Sequence, residues 1–516
     1  MALSVWKHES GKGSQAARIS DDVLTLVFKA LLLKPQDSKI YLFPFKIASV
    51  NRQFRTVALS TPQLWGNLSS SFRMKPEAID LRLQRSQDAD LQIYIGNFPA
   101  CYTYGGEEKG LEWLNSFLAK ILPHCHRWAS LDITISPKKH SAAASAIIEA
   151  LLKAGIEMPK LRSLTIPGIG DMKITFQHFS TRAKDLRTIC MDMNDDFKLV
   201  KNIALPSKVA KMAIKVDCCD LKVQDLAAML QSAPIEDLSL DLSENSGNTK
   251  GTTVMYEGKK TTVQHLILDV KSLKLSIPTE RDVLHLVRGL HFPSLERLSL
   301  AVCDSVHEDF AVRRGRGERD FSFGFYDEDD YMYDDYDDDT EYFDSGSAEV
   351  AAKVSLSLAK EFFGDKEFPK LTSLSLKLIT NAARLLHKKL PKDYIVDINK
   401  SCPNIQDLVL HCTYKVETLL LPPLRSLTLR RVVVDYGCSW IEDYGKLLSK
   451  YEKMDSLERL TLDHCSMGDV RFEKTEEEWI KKLALFGSKL TVIVCELCEF
   501  CRCCLILIIC AAELIP

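Results

Sequence analysis

One spacing recurs along most of this chain and restricts the folds that are open to it. Each copy has an apolar residue, two variable residues, a second apolar residue, one variable residue and a third apolar residue. The second and third apolar positions are two residues apart, so they share one face of an extended strand. We therefore predict a short strand with one buried face at each copy. The copies are Trp128/Leu131/Ile133, Leu161/Leu164/Ile166, Val209/Met212/Ile214, Ile235/Leu238/Leu240, Val263/Leu266/Leu268, Leu295/Leu298/Leu300, Leu371/Leu374/Leu376, Ile405/Leu408/Leu410, Leu424/Leu427/Leu429, Leu457/Leu460/Leu462 and a weaker Leu490/Ile493/Cys495.

The segments between the copies complete a repeating unit. Ala142 to Leu152 and Arg281 to Leu290 have apolar residues at helical spacing. At several copies a proline precedes the first motif position by two residues, where it ends a helix and favours extended backbone. This alternation predicts an α/β fold. It resembles leucine-rich repeats of roughly 20–29 residues or slightly more, whose parallel strands line the concave side of a solenoid and whose helices line the convex side. Unrelated strands of an ordinary α/β protein would not explain so many recurrences.

The residues between the buried positions of such a sheet project to solvent and form an extended binding surface. Charged residues occupy several of these positions. Each also fits a simple solvated position, and the sequence does not select among them. The candidate substrate-binding residues are Arg162, Glu236, Asp237, Glu296, Arg297, Arg425, Glu458 and Arg459, with Ser163 and Ser426 beside them.

The N-terminal region predicts three short helices. Ser20 can cap the first helix, and Asp21 and Asp22 place negative charge in its first turn. Leu24, Val27, Phe28 and Leu31 follow as one apolar stripe, and Lys34-Pro35 ends the helix. A second helix is expected from Lys46 to Leu59. A third begins at Thr61-Pro62, with threonine as cap and proline at the first helical position.

These residues resemble an F-box, in three pieces that appear in order. The pieces are Ile19 to Phe28, Ala48 to Leu59 and the Pro62-Gln-Leu-Trp65 that follows. The tail of the match and the segment from Leu81 to Ile93 are similar to the F-box-like proteins of mushroom-forming fungi. The family pattern has Leu-Pro where this chain has Ile19-Ser20, Cys where it has Asn51, and Trp where it has Phe54. Residues Lys34 to Pro44 are an insertion.

The resemblance implies a function as the substrate-recruiting subunit of an SCF-type ubiquitin ligase, in which the F-box binds the SCF adaptor and, through it, a cullin. The repeats would then bind an unknown target protein for degradation. The alternative is a repeat protein that acts as an interaction scaffold and has lost adaptor binding. The adaptor contacts implied by position are Ile19, Ser20, Leu24, Val27, Phe28, Val50, Asn51, Arg52, Phe54, Leu64 and Trp65.

An acidic segment interrupts the repeats between Leu295 and Leu371. From Asp327 to Asp344 there are eleven carboxylates and no lysine or arginine, which leaves the rest of the chain net basic. Like charges at this density oppose packing, so we expect a disordered surface insertion. The alternative is a mobile acidic arm that lies on the basic body or recruits a basic partner.

The remaining features argue against other classes of protein. The formal net charge of -3 favours neither nucleic acid nor a membrane as partner. We expect no secretion signal and therefore reduced cysteines in the cytoplasm or nucleus. Catalytic motifs are missing, so we predict a non-catalytic protein without cofactors. Cys495, Cys498 and Cys501 have a metal-like spacing but no second pair at a suitable distance, so we predict no metal site and keep a metal or redox protein only as a distant alternative.

These features together predict seven regions along the chain. They are a flexible N-terminus over residues 1–18, the F-box-like module over 19–70, a linker or capping region over 71–120, leucine-rich repeats over 121–302, the acidic insertion over 303–350, further repeats over 351–495 and a cysteine-rich apolar tail over 496–516, in which Leu505 to Ile509 is a last strand or cap.

Overall fold

A computed structural model gives the structure of the chain, which divides into two compact units. The first unit comprises Met1–Pro167 with His178–Arg187, and the second comprises Gly168–Gln177 with Thr188–Pro516. The structure describes residues 19–32, 42–70, 75–96, 106–134, 137–153, 156–167, 172–193, 204–216, 223–242, 266–278, 290–303, 358–364, 366–379, 396–412, 419–430, 456–463, 491–497 and 504–510.

Four short helical segments open the first unit. They are α1 (Asp21–Leu32), α2 (Phe43–Val50), α3 (Arg52–Leu59) and a 3-10 helix (Pro62–Trp65). The backbone N–H of Val23 donates to the Ser20 hydroxyl at 3.3 Å, so the predicted cap of α1 is confirmed. The helix ends at Leu32, and the predicted terminator Lys34-Pro35 lies outside the described residues.

The prediction of one continuous helix from Lys46 to Leu59 is wrong, because Asn51 divides it. Asn51 is extended, with φ −159° and ψ 178°, and its side chain accepts the N–H of Phe54 at 2.8 Å. A side chain that satisfies this N–H competes with continuation of the preceding helix and starts a new one. The predicted cap at Thr61 is also wrong. Its hydroxyl donates to the carbonyl of Val57 at 2.7 Å and so satisfies the end of α3.

Strands and helices alternate through the rest of the first unit. Parallel strands pair in the order β1, β2, β3, β4, and the region predicted as a linker or cap holds α4, β2 and α5. The elements are β1 (Asn67–Ser69), α4 (Pro76–Ser86), β2 (Leu91–Gly96), α5 (Gly106–Ile121), a 3-10 helix (Leu122–Arg127), β3 (Trp128–Thr134), α6 (Pro137–Lys153) and β4 (Ser163–Pro167), and α7 (Met172–Arg182) follows in the chain. The helix predicted at Ala142 to Leu152 lies within α6 and is confirmed.

The second unit has a sheet whose strands follow the order of the sequence. The order is β5, β6, β7, β9, β11, β12, β14, β16, β17, β18, β19, and the pairing is parallel except for the antiparallel pair β18 and β19. The strands are β5 (Thr188–Met193), β6 (Lys211–Val216), β7 (Asp237–Asp241), β9 (Ser272–Pro278), β11 (Arg297–Cys303), β12 (Ser373–Ile379), β14 (Asp407–Cys412), β16 (Ser426–Arg430), β17 (Arg459–Asp463), β18 (Thr491–Leu497) and β19 (Cys504–Cys510).

Smaller elements accompany this sheet. Residues 358–364 are helical, and two pairs of two-residue strands, β8 with β10 and β13 with β15, are each parallel. The remaining elements are α8 (Val223–Gln231), β8 (Leu266–Ile267), β10 (Leu290–His291), β13 (Val396–Asp397), α9 (Ile398–Ser401) and β15 (Leu419–Leu420). The predicted α/β class and the predicted last strand at Leu505 to Ile509 are confirmed.

The strand register aligns the apolar residues of the motif into buried rows. Leu298 of β11 pairs with Leu273 of β9 and with Leu374 of β12, and all three side chains are buried. The third motif positions form a second row, two residues further along each strand. Because side chains alternate between the two faces of a strand, the residues between these rows face away from the core. The first motif position is also buried, at Leu295 and Leu371 for example.

The structure corrects three of the sequence assignments. The strand aligned with the rows is Val270/Leu273/Leu275, whereas Leu266 lies in the separate strand β8 and Val263 lies outside the described residues. At β18 the register pairs Val492 and Val494, not Ile493 and Cys495, with Leu460 and Leu462, so the predicted frame there is wrong by one residue. Leu290, the predicted end of a helix, lies in β10, and residues 281–289 lie outside the described part.

A further copy of the motif, Leu186/Ile189/Met191, went unrecognised in the sequence and forms β5. The acidic insertion lies outside the described residues, as do the N-terminal residues 1–18. Within the described ranges, no helix has both the length and the apolar character needed to cross a bilayer.

The corrected strand frame predicts that two apolar residues of the second unit contribute differently to the free energy of unfolding. Leu273 is 1% exposed and Ile267 is 64% exposed. We expect Leu273→Ala to lower the free energy of unfolding by about 2–5 kcal/mol, because it leaves a cavity, and Ile267→Ala to change it by less than about 1 kcal/mol. Urea denaturation of both variants measures this. Equal losses, or a larger loss for Ile267→Ala, would contradict the frame.

Candidate protein-interaction surfaces

Helix α1 carries apolar side chains around most of its circumference, and only some of them are buried. Leu24 and Phe28 point into a core that they share with Ile47, Val57 and the side chains of the 3-10 helix. Leu32, at the end of the helix, packs partly buried against the same core, and the remaining apolar residues of α1 are exposed. We call these the outer face of α1: Val23, Leu26, Val27, Ala30 and Leu31.

The outer face has the spacing of a buried helix surface. Its members follow one another at three- and four-residue intervals, which places them on one continuous stripe. Leu26 is 67% exposed and Val27 is 47% exposed. An apolar stripe on the surface of a folded protein is typical of a site where another protein binds. The single stripe predicted at Leu24, Val27, Phe28 and Leu31 is therefore divided between two faces.

Two further exposed apolar residues belong to the same helical module. Ile19 precedes α1 and Val50 ends α2, and each is 55% exposed. The side-chain amide of Gln53 donates to the Ile19 carbonyl and to the Asp21 carboxylate, both at 2.8 Å. These bonds fix the start of α1 against the start of α3, so Ile19 is held in place without being covered.

The implied adaptor contacts fall into two groups. The exposed residues are Ile19, Ser20, Val27, Val50, Asn51 and Arg52. Phe54 is half-buried, with its ring 5.3 Å from that of Phe28. The buried residues are Leu24, Phe28, Leu64 and Trp65. The buried group holds the helices together, and only the exposed group is accessible on the surface of the module.

Trp65 joins the helices to the elements that follow. Its indole N–H donates to the Ala58 carbonyl at 2.8 Å, and its ring lies 5.2 Å from that of Phe45. From α4, the guanidinium carbon of Arg85 lies 4.4 Å from the centre of the Trp65 ring, a cation–π contact. Strand β1 begins two residues later. The helical module is therefore packed directly against the first strand–helix elements of its own unit.

The exposed side of the second unit's sheet is crossed by ion pairs. Asp237 on β7 contacts Lys211 on β6 at 3.1 Å and Arg297 on β11 at 3.3 Å. Lys271 and Glu236, each just ahead of a strand, lie 3.1 Å apart. A hydrogen bond from Lys271 to Glu236 raises the pKa of the lysine, and the charge of Glu296 adds to this.

A second group of charges pairs further along the same sheet. Arg425 and Glu458 lie 2.8 Å apart, and their hydrogen bond raises the pKa of Arg425. The structure therefore places the predicted substrate-binding residues of the second unit at the start of their strands or one residue ahead of it, and it pairs Asp237 with Arg297 and Arg425 with Glu458. Arg459, next to Glu458, is exposed, and Arg162 is exposed in the first unit. Solvated pairs of this kind add little stability and are screened by salt.

Asp132 is a notable residue that the sequence reasoning missed. It lies on the non-core face of β3, where the register places Tyr94 of β2 and Thr165 of β4 opposite it. It accepts a hydrogen bond from the Thr165 hydroxyl, but its Oδ1 atom is covered and has no hydrogen-bond partner among the residues that the structure describes. Burial raises the pKa of this carboxyl group. The signal was present in the sequence, because Asp132 stands between the buried motif positions Leu131 and Ile133.

The sequence of α1 also indicated that apolar residues lie on its outer face. Val23, Leu26 and Ala30 repeat at helical spacing on the side opposite Phe28, so the sequence of α1 is apolar almost all round. A helix with such a sequence has more apolar surface than the core of this module covers. Across the described ranges, no group of three or more His, Cys, Asp or Glu side chains is placed to hold a metal ion.

No protein-family model matches the chain, and no curated protein matches it significantly. The described residues themselves define the class: an α/β protein with a large, almost wholly parallel sheet and an N-terminal helical module that exposes an apolar helix face.

The cap at Asn51 gives a first prediction for this module. Asn51→Ala removes the acceptor for the Phe54 N–H, so we expect a loss of about 1 kcal/mol in the free energy of unfolding. Asn51→Asp keeps the acceptor and should lose little. Ser49→Ala, at an exposed position nearby, is the matched control. Equal stability of Asn51→Ala and the wild type in urea denaturation would contradict the capping role.

The burial of Asp132 predicts that the melting temperatures of Asp132→Asn and the wild type differ by an amount that changes with pH. Because folding raises the pKa of this carboxyl group, the folded state binds more protons than the unfolded state. The free energy of unfolding therefore falls as pH rises above the ordinary pKa of the group. Asp132→Asn cannot ionise. We expect its melting temperature, relative to that of the wild type, to be higher at pH 7 than at pH 4. A difference that is constant with pH would contradict this assignment.

Proposed function

We propose that the chain is the substrate-recruiting subunit of an SCF-type ubiquitin ligase. In this proposal the N-terminal module is F-box-like and docks the SCF adaptor, which binds a cullin. The strand–helix units are leucine-rich repeats, and their exposed strand face holds a target protein for degradation. The observation that carries the proposal is the outer face of α1, since it leaves an apolar helix stripe without cover in the described part of the protein.

The departures of the N-terminal module from the F-box pattern are compatible with adaptor binding. Asn51 is exposed and caps α3, so its amide is not an unsatisfied group within a core. Phe54 packs edge-on against Phe28 and so fills an apolar position. Ser20 caps α1. Each departing residue therefore has a local role that leaves the exposed apolar residues available.

The sheets support the second half of the proposal. Their rows of buried leucines leave the intervening residues on one face, as leucine-rich repeats do. A subunit of this kind needs no catalytic groups, because a ligase accelerates transfer by holding a target near the conjugating enzyme. The proposal places the protein in the cytoplasm or nucleus.

Adaptor binding by the full chain tests the proposal. We expect purified SCF adaptor to bind the wild-type chain, and Val23→Asp/Val27→Asp to weaken binding by more than about tenfold, since the interface would bury unpaired carboxylates. Ile267→Asp is the matched control, because it alters an exposed apolar residue outside the module and should bind as the wild type does. Unchanged melting temperatures would show that both variants fold.

Two outcomes would contradict the proposal. Equal binding by the wild type and the double variant would remove the outer face of α1 from the interface. No binding by the wild type would favour the alternative, a leucine-rich-repeat scaffold that does not join a ligase.

A further inference from the structure

Arg82 lies in the middle of α4, on the side of the helix that packs inward. The buried residues of α4 are Ile79, Arg82, Leu83 and Ser86, which follow at three- and four-residue spacing. Arg82 thus takes a position that an apolar residue would normally hold in such a stripe. Its side chain is fully buried.

The guanidinium of Arg82 has no hydrogen-bond partner within the described residues. Its Nε, Nη1 and Nη2 atoms are all covered, and none has an acceptor. One contact is a cation–π interaction, in which the guanidinium carbon lies 5.8 Å from the centre of the Phe45 ring. A contact of that kind is weak beside the cost of removing a charge from water.

Arg82 cannot avoid this cost by losing its proton. Burial lowers the pKa of Arg82 to about 10, which still leaves it charged at neutral pH. No carboxylate contributes to that shift. Asp80, two residues away on α4, is engaged by Lys120, with the two oxygens 2.6 and 2.5 Å from Nζ.

Arg127 provides a comparison within the same unit. It is also buried, but its guanidinium donates to the Ala89 carbonyl at 3.1 and 2.9 Å and to the Ser86 hydroxyl at 2.7 Å. Burial lowers the pKa of Arg127, and the nearby charges of Asp88 and Asp90 oppose that shift. The fold therefore supplies acceptors to Nε and Nη2 of one buried arginine and leaves the other without an acceptor among the described residues, which points to an acceptor from outside the described chain.

We propose that Arg82 is the centre of a binding site for an oxyanion of the phosphate class, held beneath α4 in the first unit. A guanidinium presents a planar fork of donors that matches two oxygens of one phosphate group. Arg85, three residues further along the helix, adds a second positive charge on the adjacent surface. Since Arg82 is out of contact with solvent, a bound anion is enclosed. The Phe45 ring, which is half-buried, lies against the guanidinium at the centre of this site. This inference does not depend on the ligase proposal.

The experiment compares melting temperatures of the full chain in inorganic phosphate and in sodium chloride of equal ionic strength. Phosphate stabilises many proteins non-specifically, so a variant must separate the site from the salt effect. Arg82→Met removes the buried guanidinium at similar volume. Arg187→Met is the matched control, because it removes an exposed guanidinium of the same unit. Glycerol 3-phosphate and acetate distinguish a phosphomonoester or a carboxylate from free phosphate.

We expect phosphate to raise the melting temperature of the wild type and of Arg187→Met by about 5 °C at a hundredfold excess over its dissociation constant. Arg82→Met should lack this saturable rise. An equal rise in all three proteins, or none in any, would overturn the proposal. Titration calorimetry of the wild type with phosphate keeps the test decisive if Arg82→Met does not fold. Saturable heat at one site is expected, and its absence would refute the site.

Discussion

The alternation of side chains along parallel strands is the constraint on which the rest of the structure depends. Two rows of apolar side chains, Leu273/Leu298/Leu374 and the row two residues further on, face the core across β9, β11 and β12. A slip of one residue would turn both rows to the opposite face. The same register pairs Lys211 of β6 with Asp237 of β7 and places both Asp237 and Arg297 opposite Ser272 of β9. The ion pairs between Asp237 and its neighbours on β6 and β11 are therefore a consequence of how the leucines pack.

Trp65 joins the helical module to the first strand and helix of its own unit. The residue ends a 3-10 helix, contacts α2 and α4, and precedes β1 by two positions. In motif terms, Trp65 and Leu68 stand three residues apart, as the first and second apolar positions do in each later strand, and both are buried. The last helical turn of the module thus leads directly into the first strand. Burial of Trp65, Leu24 and Phe28 in turn leaves the outer face of α1 exposed, because a helix of this size cannot bury all sides in one small core.

Much of the fold could be predicted from the sequence because the motif has a period of two and recurs. Among the strands, prediction failed where two frames were equally apolar. Leu266 and Leu273 both fit the motif, and only pairing with β7 and β11 selects Leu273. At β18, the run Thr491 to Cys495 is apolar on both faces of a strand, so the frame was ambiguous. For the module, periodicity indicated a helix at α1 but could not tell Leu24 from Val27. That distinction depends on how the three helices pack. In the same way, the burial of Asp132 depends on how β3 packs with its neighbours.

The central claim is that the outer face of α1 is a surface for a partner protein. Hydrogen–deuterium exchange of the full chain, with and without the SCF adaptor, measures this directly at the level of the helix. The account predicts that adaptor slows exchange in Asp21–Leu32 and in the neighbouring Phe43–Leu59, and leaves Ser272–Pro278 of the second unit unchanged. Unchanged exchange in α1 at saturating adaptor, or protection confined to the second unit, would contradict it.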